Sequence, residues 1–267
     1  MSLSACLTLD LEPDHAGRAT FAYEAWRGDR LDAMMDLLAE FQAPLSAFVV
    51  GRSLEQQPEG IAHLRRLGVE FHLHSYSHNL AEPDSAQEID TGMRAFEKAF
   101  GERPVGYRAP EGRISKGGLQ RLAERNFLFD SSVFPSAWPH PRYLGYSRTA
   151  YRSSAGDLIE IPIATAGRAR LLVTLSFIKL LGFPLYRRLI RQGRVPDPLI
   201  FDMHLHDLFV LPAYDQLPAF LKVAYSRNRT EGFTLLRATL DLLRDSGYRF
   251  TGMTSAAQAL DLKLPRC

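Results

Sequence analysis

Val69-Glu70-Phe71-His72-Leu73-His74-Ser75-Tyr76-Ser77-His78 reads as a buried strand that ends in chemistry. The run from Val69 to Leu73 follows Gly68, which stops a helical pattern over Pro58 to Leu67. His74 and His78, four apart at the strand's end, can offer two imidazole nitrogens to one metal ion. A strand of this kind needs neighbours that bury it and bring further polar groups to the same end.

The rest of the chain supplies them. Leu3 to Asp10, Pro44 to Val50 (stopped by Gly51), Pro104 to Arg108, Phe127 to Asp130, Leu158 to Ile163, Leu199 to His204 and Tyr248 to Thr251 read as strands. Leu31 to Phe41, Ala86 to Phe100, Lys116 to Arg125 and Phe233 to Asp245 carry helical spacing. Strands alternating with helices of this length imply βαβ units with parallel pairing. Without a break in composition, the expected fold is α/β, one barrel over residues 1–267 in preference to an open sheet. In such barrels chemistry gathers at the carboxyl ends of the strands. Asp10, His74, Arg108, Asp130 and His204 all stand there.

Bulk properties fit a globular enzyme. With 46% hydrophobic and 23% charged residues, the 267-residue chain can bury a sizeable core. A net charge of +2 gives no global reason to expect nucleic acid. Cys6 lies inside a strand and Cys267 at the last position, so no disulfide is expected, in keeping with a reducing compartment. No signal peptide or membrane-spanning run is read, and the expected location is the cytoplasm or, peripherally, the inner membrane face.

A catalytic zinc site takes three ligands from histidine and carboxylate and keeps one position for water. His74 and His78 supply two, and Glu12 or Asp14 the third. Asp10 and Glu12, two apart, face the same way because strand side chains alternate. One can bind metal while the other accepts a proton. Asp130 either caps structure or orients a catalytic histidine. His204 can protonate a leaving group, with His206 as its rival. Trp138 either stacks on a sugar ring or anchors its loop in the core.

In order along the chain, Leu7-Thr8-Leu9-Asp10-Leu11-Glu12, His74-Ser75-Tyr76-Ser77-His78, Tyr107-Arg108-Ala109-Pro110, Phe129-Asp130-Ser131-Ser132 and Met203-His204 resemble the motifs of the NodB-homology polysaccharide deacetylases, the fourth carbohydrate-esterase family. The wording is nearest to the branch found with bacterial exopolysaccharide loci. The resemblance implies a distorted barrel of about seven strands, a divalent metal (usually Zn2+), and hydrolysis of an N-acyl group, expected to be N-acetyl, from a sugar. It implies Asp10 as base, His74 and His78 as metal ligands, Arg108 as the group that holds Asp10, and His204 as acid. Asp130 joins the catalytic set, and Pro110, Glu111 and Trp138 the substrate-binding set. Two positions depart from the family. Leu11 separates Asp10 from Glu12 where adjacent aspartates are usual, a spacing also met in relatives acting on lipid-linked sugars, so Glu12 becomes the third ligand. Glu111 stands where Tyr is frequent. The alternatives are a deformylase acting on a polyprenyl-phosphate-linked amino sugar and an allantoinase-like cyclic amide hydrolase.

Between Arg168 and Pro196 there are seven basic residues and no acidic one, leaving net −5 for the rest. Apolar residues beside these arginines define a basic amphipathic insertion at about 168–196. It is expected either to pack on the barrel or to meet anionic lipid or a lipid-linked substrate.

Overall fold

A computed structural model describes residues 3–17, 22–139 and 141–265. Cys267 lies outside the described residues; Cys6 is a buried free thiol. The strands are β1 (Leu3–Leu11), β2 (Leu45–Val49), β3 (Glu70–Leu73), β4 (Gly106–Tyr107), β5 (Phe129–Asp130), β6 (Tyr151–Arg152), β7 (Ile159–Glu160), β8 (Thr165–Ala166), β9 (Leu171–Leu172), β10 (Leu199–His204) and β11 (Tyr248–Phe250). The main sheet runs β10-β1-β2-β3-β4-β5-β7-β6, with β11 beside the start of β1. Every pairing from β10 to β7 is parallel. These are the seven strands of the expected distorted barrel. β6 adds an antiparallel edge, and β8 and β9 form a separate hairpin. β6, β8 and β9 stand outside the parallel alternation of strand and helix and are not among the strands read from the sequence.

The sheet curls without closing by a regular ladder. The chain after β7 crosses the gap instead. Ile163 N–H donates to Val133 O, Ala164 N–H donates to Ile200 O, and Thr174 bridges Asp202. β1 explains the curl's polarity of burial. Leu7, Leu9 and Leu11 are fully buried against helices Gly28–Glu40 and Pro58–Arg66 through Leu31, Met34, Leu38, Ile61 and Leu64. Each such leucine contributes about 1.5–3 kcal/mol. The alternate residues Cys6, Thr8 and Asp10 point inward, where Cys6 meets Phe48 and Ile200. The inner face thus changes from apolar at its base to ionisable at its carboxyl end.

β2 stops before Gly51, as its sequence suggests, and Gly51 opens helix Gly51–Gln56. A Cβ there would come within 2.9 Å of the Tyr76 ring and 3.2 Å of the Gly92 Cα, so glycine permits close packing on helix Ala86–Phe100. The basic segment forms helices Leu175–Leu181 and Phe183–Arg191, broken at Gly182 with φ of 97°. Tyr186 and Ile190 pack into the core. Lys179 is buried too, its Nζ donating to Asp207 O at 2.7 Å, so the seven basic residues do not share one outer face. No helix among the described residues is long and apolar enough to cross a membrane.

Beneath the carboxyl ends, Asp130 on β5 and Glu160 on β7 are register partners and fully buried. Burial first, then the neighbouring carboxylate, raises the Glu160 pKa well above its ordinary value, and burial raises that of Asp130. We expect the two carboxyls to hold a proton between them. A raised folded pKa gives stability that is full below the unfolded value of about 4.3 and is lost as pH rises toward the folded value. Glu160→Gln keeps a donor facing Asp130 and cannot ionise. Relative to wild type, its unfolding free energy by denaturant should therefore gain between pH 5 and pH 8, by up to about 1.4 kcal/mol per pH unit. An unchanged difference across that range would contradict the shared proton.

Candidate active site

His74 follows the last residue of β3, and its Nδ1 lies 2.8 Å from the Arg108 carbonyl. That contact makes Nδ1 the protonated nitrogen and leaves the Nε2 lone pair facing Glu12. The loop carrying His78 is bent by positive φ at Ser75 (56°) and His78 (59°). Glu88 holds it from helix Ala86–Phe100, accepting from Tyr76 N–H at 3.0 Å, Ser77 N–H at 2.8 Å and Ser77 Oγ at 2.6 Å. His78 Nε2 is then 2.8 Å from Glu12 Oε2, and His74 Nε2 is 3.7 Å from it. Ligand atoms of Glu12, His74 and His78 all lie within 4.8 Å of one another. Two imidazoles and a carboxylate, with one imidazole's far nitrogen pinned, are a donor set suited to a catalytic divalent metal. Burial opposes charge on Glu12, but the charges of His78 and His204 beside it hold its pKa well below the usual range. Asp14 stands elsewhere, accepting from Glu24 and Ala25 N–H, and belongs to no candidate metal group among the described residues.

Asp10 is placed by a cation. Arg108, fully buried with its guanidinium 4.0 Å above the Phe48 ring, donates from Nη1 to Asp10 Oδ1 and Asp202 Oδ1, both at 2.6 Å. Nη2 donates to Thr8 Oγ1 at 3.1 Å and Ser131 Oγ at 3.2 Å, and Nε to Ser131 O at 3.2 Å. All three nitrogens of the guanidinium are thus engaged. Burial alone would lower the Arg108 pKa, yet the Asp10 and Asp202 charges raise it. Burial, with the Asp10 charge, pushes Asp202 up to about 6. With Oδ1 fixed, Asp10 Oδ2 turns to the histidines, 3.9 Å from His74 Nε2 and 3.8 Å from His204 Nε2.

His204 closes β10 opposite Asp10 in register. Its Nε2 is 3.7 Å from Glu12 Oε1, and its Nδ1 is 3.6 Å from Asp207 Oδ2. Asp207 also accepts from His204 N–H at 3.1 Å and from Ser176 Oγ at 2.7 Å. Burial opposes a charged His204, but Asp207, Glu12, Asp202 and Asp10 raise its pKa well above normal. His206 stacks on it at 4.7 Å and on His15 at 4.7 Å. Burial, then the His204 charge, lowers His206 to about 3, and burial lowers His15 to about 4. Of the two rivals, His204 is the one facing Asp10 and Glu12.

The remaining expected residues divide. Asp130 does not reach a histidine; it accepts from Ser132 Oγ at 2.6 Å, and that serine in turn receives Ala109 N–H at 2.7 Å. The carboxylate beside the His204 ring is instead Asp207. Glu111, at φ 50°, lines the cavity and pairs with Arg113 Nη2 at 2.8 Å. Pro110 is buried in the turn and does not line the cavity. Trp138 is 61% exposed, 5.3 Å from the Phe177 ring, and so is not a core anchor; it stands on the cavity wall. The cavity, about 440 Å³, has Asp10, Glu12, His74, His78 and His204 on one side and Phe134, Trp138, Phe177, Leu180 and Leu221 among its apolar lining. Sequence reasoning missed Asp202 and Asp207. Asp202 sits two before His204, hence on the same strand face. Asp207 sits three after it, where a first-turn acid completes an N-terminal cap.

Residues 7–127 match the family model described as polysaccharide deacetylase. A peptidoglycan deacetylase-like protein, FGM2, of Gibberella zeae is 34% identical over 90 residues, covering 32% of this chain and 27% of that protein. The match therefore spans about a quarter of the curated relative. Among solved structures, a Mycobacterium smegmatis chain assigned to the polysaccharide deacetylases aligns with TM-score 0.66 and 20% identity, over 100% of this chain and 94% of that one. An allantoinase aligns with TM-score 0.62 and 16% identity, over 96% and 90%. These structural likenesses speak for the fold.

Proposed function

We propose, from the polysaccharide deacetylase pattern carried by residues 7–127 and from the site geometry, that this protein is a metal-dependent hydrolase removing the N-acetyl group of an amino sugar. The observation that carries the reading is the convergence of Glu12, His74 and His78 with Asp10 Oδ2 and His204 Nε2, which lie 3.7–3.9 Å from members of that triad. Glu12, His74 and His78 would hold the metal, and zinc suits the donor set. Bound there, it would lower the pKa of a coordinated water toward about 7 and polarise the acyl carbonyl.

The chain's own groups do the rest. Arg108 fixes Asp10 Oδ1, so Oδ2 accepts the proton of the attacking water. His204, charged and held through Asp207, donates from Nε2 to the departing nitrogen as the C–N bond breaks. Acetate and a free amine leave in equal amounts. Trp138 offers an exposed ring face to the sugar, and Glu111 a carboxylate to a hydroxyl or amine. The apolar wall supports a sugar carried on an apolar group, such as a polyprenyl carrier, over a purely polar glycan.

Incubation with N-acetylated chito-oligosaccharides, with acetate and amine assayed together, tests the reaction. Equal release of both, abolished by a chelator, is expected. Release from the N-formyl analogue alone would move the activity to a deformylase. Turnover of allantoin that resists chelation would replace the metal reading.

A further inference from the structure

Helix Ala219–Ser226 is apolar on two opposed faces. Leu221, Ala224 and Tyr225 line the active-site cavity. Phe220 and Val223, three apart and therefore on one face, are 72% and 73% exposed. No residue of the helix is buried. Large apolar side chains held out together from one helix face mark a surface that meets another apolar phase. The helix leans on helix Leu175–Leu181 and leaves Phe220 and Val223 facing away from the protein.

Its charge decides what covers it. Lys222, Arg227 and Arg229 lie in or just after the helix, and no acidic residue occurs between Asp215 and Glu231. A symmetric pairing through this face would bring the basic patch against its own copy, which like charges disfavour. An anionic bilayer offers the opposite charge and accepts the apolar side chains.

We infer that helix Ala219–Ser226 docks on an anionic lipid bilayer, inserting Phe220 and Val223 between headgroups while Lys222, Arg227 and Arg229 meet lipid phosphates. The docking element differs from the segment 168–196 expected from sequence. There, only the outer arginines remain available, because Lys179, Tyr186 and Ile190 are buried. Since the same helix walls the cavity, docking would open the site at the membrane surface. This deepens the reading of an apolar, carrier-linked substrate but is measured without turnover.

The test is co-sedimentation of the full chain with vesicles of phosphatidylcholine alone and of phosphatidylcholine with phosphatidylglycerol. Wild type should bind the anionic vesicles and not the neutral ones. Phe220→Ser/Val223→Ser and Lys222→Glu/Arg227→Glu should each lower binding by at least about tenfold. Both should keep the wild-type melting profile and deacetylation of a soluble oligosaccharide. The inference is overturned by absence of binding to anionic vesicles, by binding undiminished in both variants, or by a solution dimer that Phe220→Ser converts to monomer. Failure of deacetylation with vesicle binding intact would defeat the proposed reaction and leave the docking surface standing.

Discussion

Asp10→Asn is expected to lower kcat by roughly 10²–10⁴-fold while leaving metal content and thermal stability close to wild type. The size follows from the role. Arg108 occupies Oδ1 at 2.6 Å, and Oδ2 is the oxygen facing His74 and His204. An amide at this position keeps an oxygen for Arg108 but cannot take a proton from water. The barrier should rise by about 3–5 kcal/mol. In the proposed site Glu12, not Asp10, would complete the metal triad, so metal stoichiometry separates loss of the base from loss of the ligand. A variant that turns over at the wild-type rate would remove Asp10 from the reaction.

Arg108→Met should have the largest effect on the fold. The guanidinium is fully buried and neutralises two buried carboxylates while binding Thr8 and Ser131. Removing one side of a buried ion pair leaves uncompensated charge and costs about 3–5 kcal/mol. Activity should fall with it, because Oδ1 of Asp10 loses its anchor. If the single variant does not fold, a second substitution keeps the account testable. Asp202→Asn in the Arg108→Met background removes one stranded carboxylate and should recover part of the lost stability, read by denaturant unfolding. A double variant no more stable than the single one would show that the carboxylates do not depend on Arg108.

Much of this arrangement was legible in the residues, and the rest has physical reasons for being hidden. β1 and β10 were readable because strands buried on both faces are near-continuous apolar runs closed by charged residues. His74 and His78 were readable from spacing. β6, β8 and β9 are antiparallel additions outside the strand–helix alternation, so the pattern that located the other strands does not reach them. Asp130 illustrates a different limit. Its position at a strand end was read correctly, but only the register with β7 sets it beside a second buried carboxyl, Glu160, and away from the histidines. Asp207 shows the converse. It lies in the turn after the strand, so its nearness to the His204 ring depends on a cap that forms with the chain's change of direction. Arg108 was read as a partner of Asp10; that it also binds Asp202 required the curl of the sheet to bring the end of β4 across to β10, 94 residues further along the chain.

The central claim is that Glu12, His74 and His78 hold one catalytic metal. The most direct measurement is calorimetric titration of zinc into chelator-treated protein, with acetate release from an N-acetylated oligosaccharide followed at each addition. One equivalent should bind, activity should rise in step and level off at that ratio, and His74→Ala and His78→Ala should lose both signals. Full activity in the metal-free protein, or one-to-one binding that survives both substitutions, would contradict the account.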